Sequence, residues 1–121
     1  MKDNIITLDH GSGGKLTNQL IRSLFLKYFN NPILNQLHDG AILPLAEKKI
    51  AFSTDSYTIS PLFFNGGDIG QLAIFGTVND LAMCGANPKY LSLSLIIEEG
   101  TSFELLEKIT FSMAKAAQLT G

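Results

Sequence analysis

The stretch KIAFSTDSYTISPLFFNGGDIGQLAIFGTVNDLAMCGA, residues 49–86, decides how the chain is read. Residues 50–59 are rich in β-formers and predict a strand, yet that strand contains Asp55, a residue depleted in strands. A carboxylate there must be solvated, paired or metal-bound, because burying it alone is prohibitively costly. Pro61 breaks the strand, Asn65-Gly66-Gly67 makes a loop, and Asp68 is a good N-cap for the next helix. Residues 69–86 are apolar nearly all round, through Ile69, Leu72, Ile74, Phe75, Val78, Leu81 and Met83, which predicts a helix buried between layers. Asn79 and Asp80 are then a polar pair in the last turns of a buried helix, and they need partners. Two readings stand for them: hydrogen bonds to a neighbouring loop, or ligation. Asp80 beside Asp55 and Asp39 would group the oxygen donors that hard cations such as Mg²⁺ prefer. Cys84 has no His near it in sequence and reads as a buried small hydrophobe.

Upstream, residues 4–8 form a short strand or an ordered arm, followed by His10-Gly11-Ser12-Gly13-Gly14-Lys15. Gly11, Gly13 and Gly14 allow positive φ and close backbone approach, so that successive N–H groups can converge on an anion. The spacing is not that of a Walker A loop, and Leu16 follows the lysine where Ser or Thr would bind magnesium. A phosphate cradle and a flexible arm before a helix are both consistent with the glycines. From residue 15 to 29, Leu16, Leu20, Ile21, Leu24, Phe25 and Tyr28 recur at helical spacing, an amphipathic helix whose N-terminus favours an anion. Asn30-Asn31-Pro32 ends it. Asp39-Gly40 then turns the chain into an apolar run at 41–43, predicted as a strand, so Asp39 is either a turn aspartate or a metal ligand at a strand entrance.

Downstream, Gly85 and Pro88 stop the apolar helix, and residues 90–98 alternate, with Leu91, Leu93, Leu95 and Ile97 on one face. The other face is weakly polar rather than charged, which suits a sheet that packs on another subunit. Thr101 and Glu104 have capping-box spacing for a last helix with Phe103, Leu106, Ile109, Met113, Ala114 and Ala117 as its core stripe. Glu98 and Glu99 read as a solvated strand end. The chain stops at Gly121 directly after that helix, as a fragment of a longer protein would.

With 121 residues, 45% hydrophobic and 17% charged, the chain suits one compact α/β-type domain. A net charge of −2 gives no electrostatic footprint for nucleic acid. No apolar run long enough to span a membrane exists, and the N-terminal MKDNIITLDH lacks the regions of a signal peptide. A single cysteine excludes an internal disulfide and fits a reducing cytoplasm.

HGSGGK, STDSY, PLFF with GGDIG, and GT-NDLA-CGA-P-YLS together resemble the N-terminal domain of the HypE family of hydrogenase expression/formation proteins. That family is similar to aminoimidazole ribonucleotide synthetase, selenophosphate synthetase and thiamine-phosphate kinase. The resemblance implies a mixed α+β domain over residues 1–121, with a mixed sheet of about four strands and helices on one face. It implies dimerisation through a β-barrel-like interface and a missing C-terminal domain bearing a carrier cysteine. It also implies an ATP-dependent dehydratase of [NiFe] hydrogenase maturation that converts a protein-bound S-carbamoyl group, or thiocarboxamide, to a thiocyanate, with HypF and HypC–HypD as partners. Asp39, Asp55 and Asp80 would then hold Mg²⁺ against the ATP phosphates, Asn79 would assist, and the arm from His10 to Lys15 would cover the phosphates. On that resemblance the chain by itself would be inactive. Another ATP-using synthetase or kinase of the superfamily, or a non-catalytic dimerisation module, are the alternatives.

Overall fold

The structure, a computed structural model, describes residues 4–121, so the first three residues of the stretch read for targeting character lie outside it. The chain divides into two compact units, Met1–Leu45 with Leu95–Thr110, and Ala46–Ser94 with Phe111–Gly121.

In the first unit the predicted strand at 4–8 is an arm pinned by backbone bonds. Ile5 bridges Ser102 in antiparallel fashion. The Ile6 N–H donates to the Thr101 carbonyl at 2.7 Å, and the Gly100 N–H donates back to Ile6 at 2.8 Å. A 3₁₀ turn, Leu8–Gly11, leads through the glycines into the predicted helix α1, which runs as Lys15–Leu20, a π-helical stretch Ile21–Phe25, and Leu26–Tyr28. Inside the π stretch the Leu26 N–H reaches back five residues to the Ile21 carbonyl. The apolar period of α1 buries Leu20 and Leu24 with Ile6 and Leu106, and Phe25, Tyr28, Ile97 and Phe103 pack around them. Beyond α1, Asn31 Oδ1 accepts the N–H groups of Ile33 and Leu34 at 3.0 and 2.9 Å, turning the chain at Pro32 as expected.

In the second unit Phe63–Phe64 (β1) pairs with Gly67–Asp68 (β2) across Asn65-Gly66. The sequence reading has only a loop here, although Asn-Gly between apolar residues is a hairpin signal, and Gly66 adopts the positive φ of 95° that such a turn requires. Asp68 caps α2 (Ile69–Met83) as predicted, accepting the Gln71 N–H at 3.1 Å. Its second oxygen accepts the Ser112 hydroxyl at 2.6 Å, which satisfies a carboxylate only 7% exposed. Helix α2 is not buried all round as expected: Gly70, Ile74 and Leu81 form its buried strip, while Phe75 and Met83 are exposed. Cys84, expected to be buried, is exposed at the end of the helix. An apolar helix with no polar side carries no mark of which face the fold will cover, and that is why both readings fail.

The last helix, α3 (Phe103–Thr120), begins two residues after Thr101, the predicted cap. Ser102 Oγ accepts the Leu105 N–H at 3.1 Å, while the Thr101 hydroxyl donates to the Glu98 carbonyl at 2.7 Å. Leu106, Met113 and Ala116 are buried together with Thr110, which is fully buried because its hydroxyl donates to the Leu106 carbonyl at 2.8 Å.

The expected sheet is the main departure. Among the described residues the β1–β2 hairpin is the only sheet, and the segments 41–43, 50–59 and 90–98 carry no ladder. Ile42 and Phe52 are 80% exposed and Ile96 is entirely so. A strand exists only where a neighbour's backbone completes its hydrogen bonds, and a period-2 pattern marks a face to be covered without saying which chain covers it.

Candidate functional site

The extended segment around Asp55 and the C-terminal half of α2 come together within the second unit. On an extended backbone residues 53, 55 and 57 share a side. On α2, Gly76 and Asp80 share a face one turn apart. Ser53 Oγ donates to Asp80 Oδ2 at 3.5 Å, a long contact, and Asp55 Oδ1 accepts the Ser56 N–H at 2.8 Å. The Tyr57 hydroxyl comes close enough to Thr77 and to the Asp55 carboxylate for both to act on its ionisation. The Thr77 hydroxyl also donates to the Ala73 carbonyl at 2.8 Å. Tyr57 lies so close to α2 that a methyl at Gly76 would overlap its hydroxyl and stand 2.8 Å from Cζ. Burial pushes the Tyr57 phenol up, the Asp55 and Asp80 carboxylates add to the rise, and the Thr77 hydroxyl opposes it. The group therefore stays an O–H donor at neutral pH.

Asp55, Asn79 and Asp80 are exposed. Asp39 is exposed at the bend before Gly40, in the first unit. Among the described residues no group of three or more His, Cys, Asp or Glu side chains stands in metal-holding geometry. Asp55 and Asp80 are the pair of carboxylates whose charges reach Tyr57. Mg²⁺ is commonly held by one or two carboxylates, with waters and substrate phosphates completing its octahedron, so this pair fits a magnesium–nucleotide complex better than an all-protein cage.

The glycine arm is a set turn rather than a loose one. His10 Nδ1 accepts the Thr7 N–H at 3.0 Å, and its ring meets the Phe103 ring edge-on at 5.4 Å. Ser12 Oγ donates to the Asp9 carbonyl at 2.9 Å, and the Gly13 N–H donates to Thr17 Oγ1 at 3.0 Å. Gly13 has φ 80°, a conformation that glycine alone adopts at no steric cost. Gly11, Gly14 and Lys15 are exposed at the start of α1, where backbone N–H groups and the helix dipole favour an anion.

Residues 37–121 match the domain family described as AIR synthase related protein, N-terminal domain. The chain belongs to that family. Over 98% of its length it is 52% identical to the carbamoyl dehydratase HypE of Escherichia coli (strain K12), of which it covers 37%. It is 47% identical, over 96% of its length, to a putative hydrogenase expression/formation protein of Methanocaldococcus jannaschii, covering 38% of that protein. A crystal structure of the hydrogenase maturation protein HypE in complex with ATP superposes with a TM-score of 0.90 at 54% identity, over 94% of this chain and 34% of that one. The chain thus spans little more than a third of the relatives it matches, and the resemblance read from the STDSY and NDLA motifs holds across that span. Sequence reasoning singled out Asp55, Asn79 and Asp80. It did not single out Ser53, Tyr57, Gly76 and Thr77: Ser53-Thr54-Asp55-Ser56-Tyr57-Thr58 is an unbroken hydroxyl- and acid-bearing run that marks no face, and the only signal on α2 was a glycine inside an apolar helix.

Proposed function

We propose that this chain is the N-terminal, nucleotide-holding part of an ATP-dependent dehydratase of [NiFe] hydrogenase maturation. The reaction converts an S-carbamoyl group on a protein thiol to a thiocyanate destined for the iron cyanide ligands. Bound ATP supplies a phosphoryl group that turns the carbamoyl oxygen into a phosphate leaving group. The chain's own part is to neutralise charge and align phosphates, which is where phosphoryl transfer gains most of its rate. Asp55 and Asp80 hold Mg²⁺, Asn79 assists at the same helix end, and Gly11, Ser12, Gly13, Gly14 and Lys15 approach the phosphates from the arm that His10 anchors. Asp39 belongs to this assignment as a third magnesium ligand, and metal titration of Asp39→Ala tests it. The observation that carries the reading is the 0.90 superposition, at 54% identity, on a HypE structure holding ATP.

The finer assembly belongs to the same proposal. Residues 41–43, 50–59 and 90–98 are strands that acquire their ladders from a second copy, giving a sheet of about four strands per chain and a β-barrel-like dimer interface. Exposed Ile42, Phe52 and Ile96 support this. Among the described residues no helix is long and apolar enough to cross a membrane. We assign the protein to the cytoplasm, with a HypF-type carbamoyltransferase upstream and a HypC–HypD-type acceptor downstream. The test is mass spectrometry of the full-length, S-carbamoylated protein incubated with MgATP. Loss of one water from the carbamoyl adduct, matched by ADP, is expected. Nucleotide turnover that leaves the adduct intact would refute the dehydratase reading and favour another superfamily kinase or synthetase.

A further inference from the structure

The turn from Gly11 to Gly14 is exposed along its whole length, so no core packing sets its shape and its two ends must do so. At the near end stands His10, half-buried. The arm before it is fixed first: Ile6 lies in the core and exchanges backbone bonds with Thr101 and Gly100, and the Phe103 N–H donates to the Asn4 carbonyl at 2.8 Å. Thr7 then closes on His10 three times. Its N–H donates to Nδ1 at 3.0 Å, its hydroxyl lies 2.9 Å from the same nitrogen, and its carbonyl accepts the His10 N–H at 3.0 Å. A backbone N–H can only donate, so Nδ1 is the bare nitrogen and the neutral ring carries its proton on Nε2. The Phe103 ring backs the imidazole edge-on at 5.4 Å. From the seated ring the constraint passes along the chain. The neighbouring Asp9 carbonyl accepts the Ser12 N–H at 3.3 Å, Ser12 Oγ at 2.9 Å and Thr17 Oγ1 at 3.4 Å. Thr17 Oγ1 in turn accepts the Gly13 N–H at 3.0 Å, which holds Gly13 at its φ of 80°.

We infer that His10 is a positioning residue for the nucleotide: as the Nε2–H tautomer it locks Thr7 through Nδ1, and so fixes the shape of the Gly11–Gly14 turn, rather than binding a phosphate itself. The inference rests on the reading of that turn as the phosphate cover, made under the proposed function. It makes the two ring nitrogens unequal. Asparagine places an amide oxygen about where Nδ1 lies, glutamine about where Nε2 lies, and alanine replaces neither.

The test uses the full-length protein with MgATP and the variants His10→Ala, His10→Asn, His10→Gln and Gly13→Ala. Loss of the hydrogen bond in His10→Ala should lower kcat/KM for MgATP about tenfold, and His10→Asn should restore it to within about twofold of wild type. His10→Gln should behave like alanine. Independently of turnover, nitrogen NMR of isotope-labelled histidine without nucleotide should show Nδ1 bare and Nε2 protonated in the ring whose signals His10→Asn removes. Failure of asparagine to rescue overturns the inference, and rescue by glutamine instead would put the ring directly on a phosphate. A protonated Nδ1 in the neutral ring overturns it as well. Gly13→Ala strains a positive φ and should impair MgATP use by itself. Wild-type kinetics in His10→Ala beside an impaired Gly13→Ala overturns the inference alone. Wild-type kinetics in both overturns the role of the turn over the phosphates, and this inference with it.

Discussion

Replacing Asp68 by alanine removes one side chain that does two jobs within the second unit. Its Oδ1 accepts the Gln71 N–H at 3.1 Å as the N-cap of α2, and its Oδ2 accepts the Ser112 hydroxyl of α3 at 2.6 Å. Loss of an N-cap costs about 1 kcal/mol. Leaving the part-buried Ser112 hydroxyl without its charged acceptor adds about 1–2 kcal/mol. The sum, about 2–3 kcal/mol, lowers the thermal midpoint by about 10 °C in a chain of this length. Asp68→Asn should lose less, about half as much, because asparagine is an equally good cap and forfeits only the charge assistance to Ser112. The assay is urea unfolding followed by far-ultraviolet circular dichroism, with Ser112→Ala and the double variant completing a cycle. Ser112→Ala alone should cost about 1 kcal/mol and should be almost silent once Asp68 is gone. A loss below about 0.5 kcal/mol in Asp68→Ala, or full additivity in the cycle, would refute the shared-carboxylate reasoning.

In the full-length protein, Asp80→Ala or Asp55→Ala should cut Mg²⁺-dependent ATP turnover by about 10²-fold or more; near-wild-type rates in both would dismiss the magnesium assignment. Light scattering at micromolar protein should give a dimer mass, and Phe52→Lys with Ile96→Lys should give a monomer; a monomeric wild type rejects the interface. Acid sensitivity offers the last check. Hydrogen bonds from Lys27 and Tyr28 hold the Glu107 carboxyl below its ordinary 4.5, while Lys27 is pushed up to about 12, chiefly by its hydrogen bond to Glu107. A carboxyl lowered by folding adds stability that is whole above pH 4.5 and is lost as pH falls through the depressed value, so Glu107→Gln should flatten the stability curve below pH 4.5. Its partner's contribution is whole below pH 10.5 and is lost as pH rises through about 12.

The helices were legible because each announces itself locally. Leu20 and Leu24 sit where the 3.6-residue period puts them, and Asp68 caps α2 where its chemistry predicts. Thr110 at the centre of α3 was not legible, because a hydroxyl bonded to its own helix is chemically mute and looks polar only on paper. The strand segments are legible only as patterns: the alternation at 90–98 can be read off the residues, but its hydrogen-bonding neighbour is not a matter of local sequence. The carboxylates of the candidate site stood out because acid is costly in a strand or a buried helix. Tyr57 did not, since an aromatic residue in an apolar stretch has an ordinary explanation until its hydroxyl is found resting on Gly76.

The π stretch in α1 holds one residue more than an α-helix of the same span would need. Seen as history, this is the trace of an insertion that the helix absorbed instead of breaking. The surplus is taken up locally, in one widened turn, while the helix on either side keeps its register. Excising one exposed residue such as Ser23 would let that turn rewind to regular α geometry and leave the glycine turn on its present bearing. The aim of the arm is thus indifferent to a residue gained or lost inside the helix that follows it.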